Sequence, residues 1–144
     1  MAAVLLLAGC SGLRSAMKPT SLPESKTATA QSFAPPITVV RPDGSTVIMA
    51  YETIAAIPPQ TLDFGGGKYE HGPILLDFLT AAGVTQFTQA TFFGLEDRSL
   101  TFTPDQLSDW YILALRNKSK AVNLMSPKLT EEQWVLHVSR VEVI

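Results

Sequence analysis

The chain has 144 residues, of which 46% are hydrophobic and 17% charged, with 11 basic and 13 acidic side chains and a formal net charge of −2. This length suits one small globular domain, and the near-neutral charge argues against a dedicated DNA- or RNA-binding protein, which needs basic side chains to neutralise phosphates. The single cysteine excludes an intrachain disulfide and leaves too few thiolates for a cysteine-rich zinc or iron–sulfur site.

The chain begins with an uncharged, almost wholly apolar segment, residues 1–9, directly before Cys10. It is too short to span a hydrocarbon core of about 30 Å, but it has the length of the apolar region of a signal peptide. Leu7-Ala8-Gly9-Cys10 resembles the bacterial lipobox, in which the cysteine thiol is lipidated and the chain is cut before it. The resemblance implies a signal peptide over residues 1–9 and a lipid anchor on Cys10. Because Ser11 follows the cysteine, it also implies the periplasm and the outer membrane. The alternative is a buried N-terminal helix with a chance cysteine.

Residues 11–36 are rich in Ser, Thr, Ala and Pro and contain one aromatic residue, Phe33. Such a segment cannot bury enough apolar surface to fold by itself. With Cys10 at its lipidated end, we therefore expect a flexible tether over residues 10–36 and a folded domain over residues 37–144. A flexible chain of this length spans about 25–30 Å, which would hold the domain clear of the lipid head groups.

Short apolar runs separated by turns begin at residue 37. Residues 37–41 and 46–50 are rich in β-branched side chains and are joined by Pro42-Asp43-Gly44-Ser45, which predicts a hairpin. Two helical turns are expected over residues 51–57, because Pro58 and Pro59 must end them. A strand is expected over residues 60–64.

A helix is predicted over residues 73–82, with Pro73 in its first turn and Gly83 as its C-terminal cap. Its apolar residues share one face: Ile74, Leu75, Phe78, Leu79 and Ala82. Strands over residues 90–95 and 99–102 follow, joined through Glu96-Asp97-Arg98. Thr103-Pro104-Asp105-Gln106 has the spacing of a capping box and predicts a short helical turn.

The last third of the chain is predicted to be mainly β-structure. A buried strand is expected over residues 110–115, a weaker one over 121–125, and a long terminal strand over 134–144. Because strands and helices do not alternate regularly, the sequence predicts an α+β fold. We expect a mixed, largely antiparallel, curved sheet with two or three short helices.

Few residue patterns indicate catalysis. His71 and His137 are the only histidines, and no H-E-x-x-H, G-x-S-x-G or P-loop motif is present. Gly65-Gly66-Gly67-Lys68 could approach a phosphate, but a simple glycine turn is the favoured interpretation because the strand–loop–helix context is missing. We expect Asp77 to be solvated and Glu96-Asp97 to be a turn rather than a cation site.

Aromatic and basic side chains in the β-rich half could bind a flat heteroaromatic ligand. An indole can stack on such a ligand, and a guanidinium can donate paired hydrogen bonds to it. The candidates are Trp134, Trp110, Tyr111, Arg98, Arg116 and Arg140. Alternatively, the tryptophans pack in the core and the arginines are solvated. Core packing is the favoured interpretation for Trp110, whereas both interpretations stay open for Trp134.

Residues 37–144 resemble the molybdopterin-binding domain of the sulfite oxidase family, in particular its short, stand-alone bacterial members. The resemblance rests on the opening hairpin and on four blocks in order: YETIAAIP (51–58), EHGPILLDFL (70–79) with Gly83, ILALRN (112–117) and WVLHVSRVEV (134–143). It implies a sulfite oxidase-like fold. It also implies a pterin site, to which we expect Trp134, Arg116, Arg98 and His71 to contribute.

The chain departs from this family at the metal ligand. Family enzymes bind molybdenum through a cysteine between the first two helices, where this chain has DFGGGK (63–68). We therefore expect no molybdenum, no catalytic residue and no redox catalysis.

Some short members of the family look like periplasmic pterin-responsive proteins that act on a membrane-bound diguanylate cyclase or phosphodiesterase. The leading expectation is thus a non-catalytic lipoprotein domain that binds a pterin-like molecule. It would sense that molecule for a membrane partner, such as the periplasmic domain of a cyclic-dinucleotide enzyme. The alternatives are an interaction lipoprotein that has lost ligand binding and a residual molybdopterin oxidoreductase.

Overall fold

Short strands joined by tight turns build the folded region. The computed structural model describes residues 34–144, so the predicted signal peptide, Cys10 and most of the predicted tether lie outside the described residues. The helices are α1 (Tyr51–Ala55) and α2 (Leu75–Ala81). The strands are β1 (Ile37–Val40), β2 (Thr46–Met49), β3 (Gln60–Asp63), β4 (Tyr69–Gly72), β5 (Ala90–Phe93), β6 (Ser99–Phe102), β7 (Ile112–Arg116), β8 (Ala121–Met125) and β9 (Arg140–Val143).

The largest sheet has five strands in the order β2-β1-β9-β5-β6. Only the β1–β9 pair is parallel, and the other neighbours are antiparallel. Alternate residues of each strand face the main core, among them Val39, Phe92 and Val141, which are fully buried. Phe78 and Leu79 of α2 belong to the same core. The α+β class with mostly antiparallel pairing therefore agrees with the expectation.

Two two-stranded ribbons, β3–β4 and β7–β8, complete the fold. All five residues of β8 are buried, because the β7–β8 ribbon contributes to two apolar clusters. Leu113, Val122 and Leu124 belong to the main core. The second cluster, named here the Trp134 cluster, consists of Leu62, Ile112, Ala114, Met125 and Trp134, with Phe64, Ile74 and Leu129 packed against it.

Local sequence signals are confirmed where the contacts that they need lie within a few residues. The first hairpin has the predicted strands, and Gly44 has a φ of 85° in its turn. Thr103 and Gln106 form the predicted capping box around a 3-10 turn over Pro104–Gln106. At the end of α2, Gly83 donates to the carbonyl of Thr80, and Val84 donates to that of Leu79, which is a Schellman motif.

The second helix begins later than its sequence pattern predicts. Pro73 lies outside α2, whose N-cap is Ile74. The backbone here is extended because it pairs with β7: the Leu113 N–H donates to the Pro73 carbonyl at 2.9 Å, and Ile74 forms a bridge with Ile112. Tertiary pairing thus replaces the first predicted turn of the helix.

The predicted long terminal strand over residues 134–144 is wrong. Trp134 ends a 3-10 turn (Glu131–Gln133), and only Arg140–Val143 forms a strand. Between them, His137 has a φ of 52°, and its N–H donates to the Asn123 side chain at 2.8 Å. This hydrogen bond turns the backbone out of an extended path.

The expectation that Trp110 packs in the core is also wrong. Its side chain is 47% exposed, with the Lys128 ammonium 5.4 Å from the ring centroid. Strand β7 begins at Ile112 rather than at residue 110, because the Tyr111 N–H closes a turn onto the Ser108 carbonyl. Trp110 therefore precedes the strand that buries its neighbours.

Candidate functional site

Trp134 is buried by the side chains of its own chain. Only 9% of its surface is exposed, and the Phe64 ring meets the indole edge to face with centroids 5.6 Å apart. The Lys68 ammonium lies 5.2 Å from the indole centroid, and the indole N–H donates to the Ser126 carbonyl at 3.3 Å. An indole that stacks on a ligand needs a free ring face, whereas here Phe64 and Lys68 pack against the indole.

Arg116 is held by a carboxylate on the neighbouring ribbon. Its two terminal nitrogens donate to the two oxygens of Glu70 at 2.8 and 3.0 Å, which is the bidentate geometry of a strong ion pair. The Glu70 side chain is 11% exposed and the Arg116 side chain 38%. Arg116 also contacts the Met125 sulfur at 3.4 Å, so it borders the Trp134 cluster. Its paired donors are therefore directed at Glu70.

Arg98 and His71 also have partners within the chain. Arg98 donates to the Glu132 carbonyl at 2.7 Å and lies 3.7 Å from the Glu96 carboxylate. His71 is exposed, and its Nδ1 lies 2.8 Å from the Thr61 hydroxyl oxygen. Because side chains alternate along β4, His71 and Glu70 lie on opposite faces of that ribbon. The structure thus brings Arg116 and Trp134 to one cluster and places His71 away from it.

The glycine turn, defined as Gly65–Gly67, connects β3 and β4 as a hairpin. The Phe64 N–H donates to the Lys68 carbonyl at 2.8 Å and closes the turn. Lys68 covers the indole of Trp134 and pairs with Glu131 at 3.3 Å. These contacts agree with the interpretation as a turn rather than a phosphate loop.

A cavity of about 300 Å³ lies elsewhere on the domain. Its lining residues are Ala34, Pro36, Ala50, Tyr51, Glu52 and Lys120, and none of the four candidate residues is among them. The Tyr51 hydroxyl donates to the Asn117 side chain at 2.9 Å, and the Lys120 ammonium lies 4.7 Å from the Tyr51 ring centroid. Burial, with a smaller contribution from the Glu52 charge, raises the pKa of Tyr51 above its usual value of 10.0.

Within residues 34–144, no helix is both long and apolar enough to cross a membrane. Over the same residues, no three or more His, Cys, Asp or Glu side chains are grouped so that they could hold a metal ion.

The fold has a known counterpart. The chain is similar to the crystal structure of the sulfane dehydrogenase SoxCD from Paracoccus pantotrophus, with a TM-score of 0.61 and 16% sequence identity. The match covers 80% of this chain and 39% of the SoxCD chain, so this chain spans well under half the length of that protein. At this identity the likeness shows a distant similarity at the level of the fold alone. No family model matches the chain, and no curated protein matches it.

The sequence patterns did not identify the side chains that occupy the candidate site. Phe64, Lys68 and Glu70 come from the β3–β4 ribbon and contact residues about 45 to 70 positions later in the chain. No sequence pattern marked Glu70, because the burial of the β4 face that it shares with Gly72 is visible only in the structure. A buried carboxylate needs a cationic partner, and Arg116 is that partner. One sequence signal was available near Trp134: Thr130 and Gln133 form a capping box just before it, which marks a turn rather than the start of a strand.

Proposed function

We propose that this chain is a lipid-anchored protein-interaction domain with a sulfite oxidase-like fold that works without binding a pterin. It would be held at the periplasmic face of the outer membrane through Cys10 and would contact a membrane-associated partner protein. The single observation that carries the proposal is that the chain's own side chains occupy the position beside Trp134.

A pterin would need two kinds of group that are already engaged here. Stacking would require displacement of Phe64 or Lys68 from the indole. Recognition of the pterin edge would require Arg116 to leave Glu70, and an uncompensated, nearly buried carboxylate is costly. Both costs would reduce the net binding free energy. This supports an interaction role over ligand binding.

The residues also do not fit a molybdenum cofactor. The single cysteine of the chain is Cys10, so residues 34–144 contain no thiolate that could ligate the metal. The position expected for the ligand falls at the hairpin around the glycine turn, where Phe64 and Lys68 pack on Trp134. The proposal therefore contains no redox step.

Pterin binding is the second candidate, and one observation favours it. The cover over Trp134 is a hairpin tip built on three consecutive glycines, and the Lys68 side chain is half exposed. Gly residues impose little conformational restriction, so this tip is the easiest part of the site to displace. A pterin that opens the tip would find the indole behind it.

A titration of the purified full chain with oxidised and tetrahydro forms of 6-hydroxymethylpterin distinguishes the two candidates. Tryptophan fluorescence is measured in a Trp110→Phe background, so that Trp134 is the only tryptophan in the chain. The proposal predicts no saturable change with either compound. A saturable change that becomes tighter when Lys68 and Phe64 are replaced by Ala, in a variant with an unchanged circular dichroism spectrum, would establish pterin binding instead, because this variant lacks the side chains that cover the indole.

The membrane part of the proposal is tested in cells. Metabolic labelling with radioactive palmitate should label the chain, and Cys10→Ser should remove both the label and the protein from the membrane fraction. Membrane association that persists in Cys10→Ser would refute the lipid anchor. The matched control is Ser11→Ala, which leaves the cysteine in place and should keep the label.

A further inference from the structure

Among residues 34–144, the five-stranded sheet ends in strand β2, which pairs on one side only. Its register with β1 joins Ile37 to Met49, Thr38 to Ile48, and Val39 to Val47. An edge strand of this kind presents unpaired backbone groups that can pair with another chain. The orientation of those groups follows from the neighbouring strand.

Thr46 and Ile48 direct their backbone groups away from the sheet. The Thr38 N–H donates to the Ser139 carbonyl on the β9 side, so Thr38 cannot be the hydrogen-bonded partner of Ile48. The Arg41 N–H donates to the Ser45 carbonyl, which places residues 41, 39 and 37 in the hydrogen-bonded pairs with β2. Among residues 34–144, no backbone group is bonded to the N–H or C=O of Thr46 or Ile48.

The edge is also uncharged and apolar at its centre. Residues 44–51 contain no charged side chain, and the Ile48 side chain is 58% exposed. The opposite edge of the sheet, β6, has no exposed large apolar residue. Lys, Pro or an inward-pointing charge usually protects an edge strand from pairing, and β2 has none of these.

We propose that β2 pairs antiparallel with β2 of a second copy of this chain, forming a two-fold symmetric dimer with a continuous ten-stranded sheet. Val47 lies on the two-fold axis, and Thr46 of each copy faces Ile48 of the other. This register uses the outward N–H and C=O of both residues and forms four backbone hydrogen bonds. The inference does not depend on the proposed function.

The electrostatics and the geometry favour a second copy as the occupant. Two identical edges bring together no like charges, because residues 44–51 are uncharged. Thr46 and Ile48 also lie one residue on either side of Val47, so a two-fold axis through Val47 places Thr46 of one copy opposite Ile48 of the other. Pairs of four-residue strands bury less than the roughly 1,000 Å² typical of stable interfaces, so we expect a weak, concentration-dependent dimer.

Sedimentation velocity of the purified full chain over a range of concentrations tests the proposal. The average mass should rise from 15.6 kDa towards twice that value as the concentration increases. Ile48→Lys should keep the protein monomeric throughout. Leu76→Lys is the matched control, because Leu76 is an exposed apolar residue on α2 (46% exposed), and it should dimerise like the parent chain.

A second variant separates edge pairing from other surfaces. Thr46→Pro removes an outward N–H without removing a bond to β1, so it should weaken the dimer at least tenfold while the fold stays intact. Constant monomer mass in the parent chain would overturn the proposal. So would growth beyond a dimer, which indicates head-to-tail pairing of β2 with β6, or an equal loss of association in Leu76→Lys.

Cross-linking tests the axis directly. In a Cys10→Ser background, Val47→Cys places two thiols at a non-hydrogen-bonded pair, where the Cα atoms are about 4.5 Å apart and a disulfide can form. Mild oxidation should yield a disulfide-linked dimer rapidly from Val47→Cys and only slowly from Leu76→Cys. Equal rates for the two variants would overturn the proposed register.

Discussion

Gly72 lies against the backbone of β7, and its replacement by Ala should strongly destabilise the fold. A Cβ atom at this position would overlap the carbonyl oxygen of Leu113 and lie 2.6 Å from the Leu113 carbonyl carbon. Both obstructing atoms are backbone, so no side-chain rotation can relieve the overlap. The two strands must therefore separate.

The cost can be worked out from the contacts that separation would break. The Leu113 N–H bonds to the Pro73 carbonyl at 2.9 Å, and the Leu75 N–H bonds to the Tyr111 carbonyl at 3.1 Å. Losing these two hydrogen bonds costs about 1 kcal/mol each, and overpacking adds about 1–3 kcal/mol. We expect Gly72→Ala to lower the free energy of unfolding by about 3–5 kcal/mol, out of about 5–15 kcal/mol for a typical domain.

Urea denaturation of the full chain, followed by tryptophan fluorescence, measures this loss. Gly66→Ala is the matched control, because Gly66 has a φ of 63° and no atom lies within 4 Å of the place that an alanine methyl group would take there. The control should lose only about 1 kcal/mol, from the strain of a left-handed backbone. Equal losses in the two variants would refute the close approach of β4 and β7 as the cause.

Two further predictions concern the tryptophans and acid stability. Trp134→Ala should lower the free energy of unfolding by about 3–5 kcal/mol, because it leaves a cavity in the Trp134 cluster. Trp110→Ala should change it by less than about 0.5 kcal/mol, because Trp110 is exposed. Similar losses for the two variants in urea denaturation would contradict the assignment of Trp134 as buried and Trp110 as exposed. Hydrogen bonds from the Ser45 hydroxyl and N–H lower the pKa of Asp43 below its usual 3.8, so its contribution to stability is present above pH 3.8 and is lost as the pH falls through the folded-state pKa. Asp43→Ala should therefore flatten the decline in melting temperature below pH 3.8, and an unchanged slope would count against this hydrogen-bond effect.

The elements that could be predicted depend on contacts between near neighbours in the chain. The first hairpin follows from the geometry of its turn, and the Thr103 capping box and the cap at Gly83 follow from hydrogen bonds between residues at most five positions apart. Such bonds form in the same way whatever the rest of the fold does. Two errors, the start of α2 and the strand over residues 134–144, occur where a group distant in the chain decides the backbone path. The third error, Trp110, occurs where a turn between Ser108 and Tyr111 delays the start of β7.

The candidate site shows the same difference between local features, which the sequence indicates, and contacts between distant residues, which it does not. The residue types of the sequence alone indicated Trp134, Arg116 and Arg98 as groups that could bind a flat ligand, and the family resemblance added His71. Residue types could not indicate whether those side chains are available to a ligand, because this depends on hydrogen-bond and packing partners far away in the chain. The Arg116–Glu70 pair joins residues 46 positions apart.

The sequence by itself determined the first hairpin, the capping box at Thr103, the helix cap at Gly83, the α+β class and the presence of one cysteine, Cys10, ahead of the folded region. Only the tertiary structure decided that Glu70 takes up Arg116, that Phe64 and Lys68 cover Trp134, and that Trp110 is exposed. The physical reason is that the β3–β4 and β7–β8 ribbons meet side by side. Strand pairing brings together residues that have no fixed spacing along the chain, so no sequence periodicity encodes it.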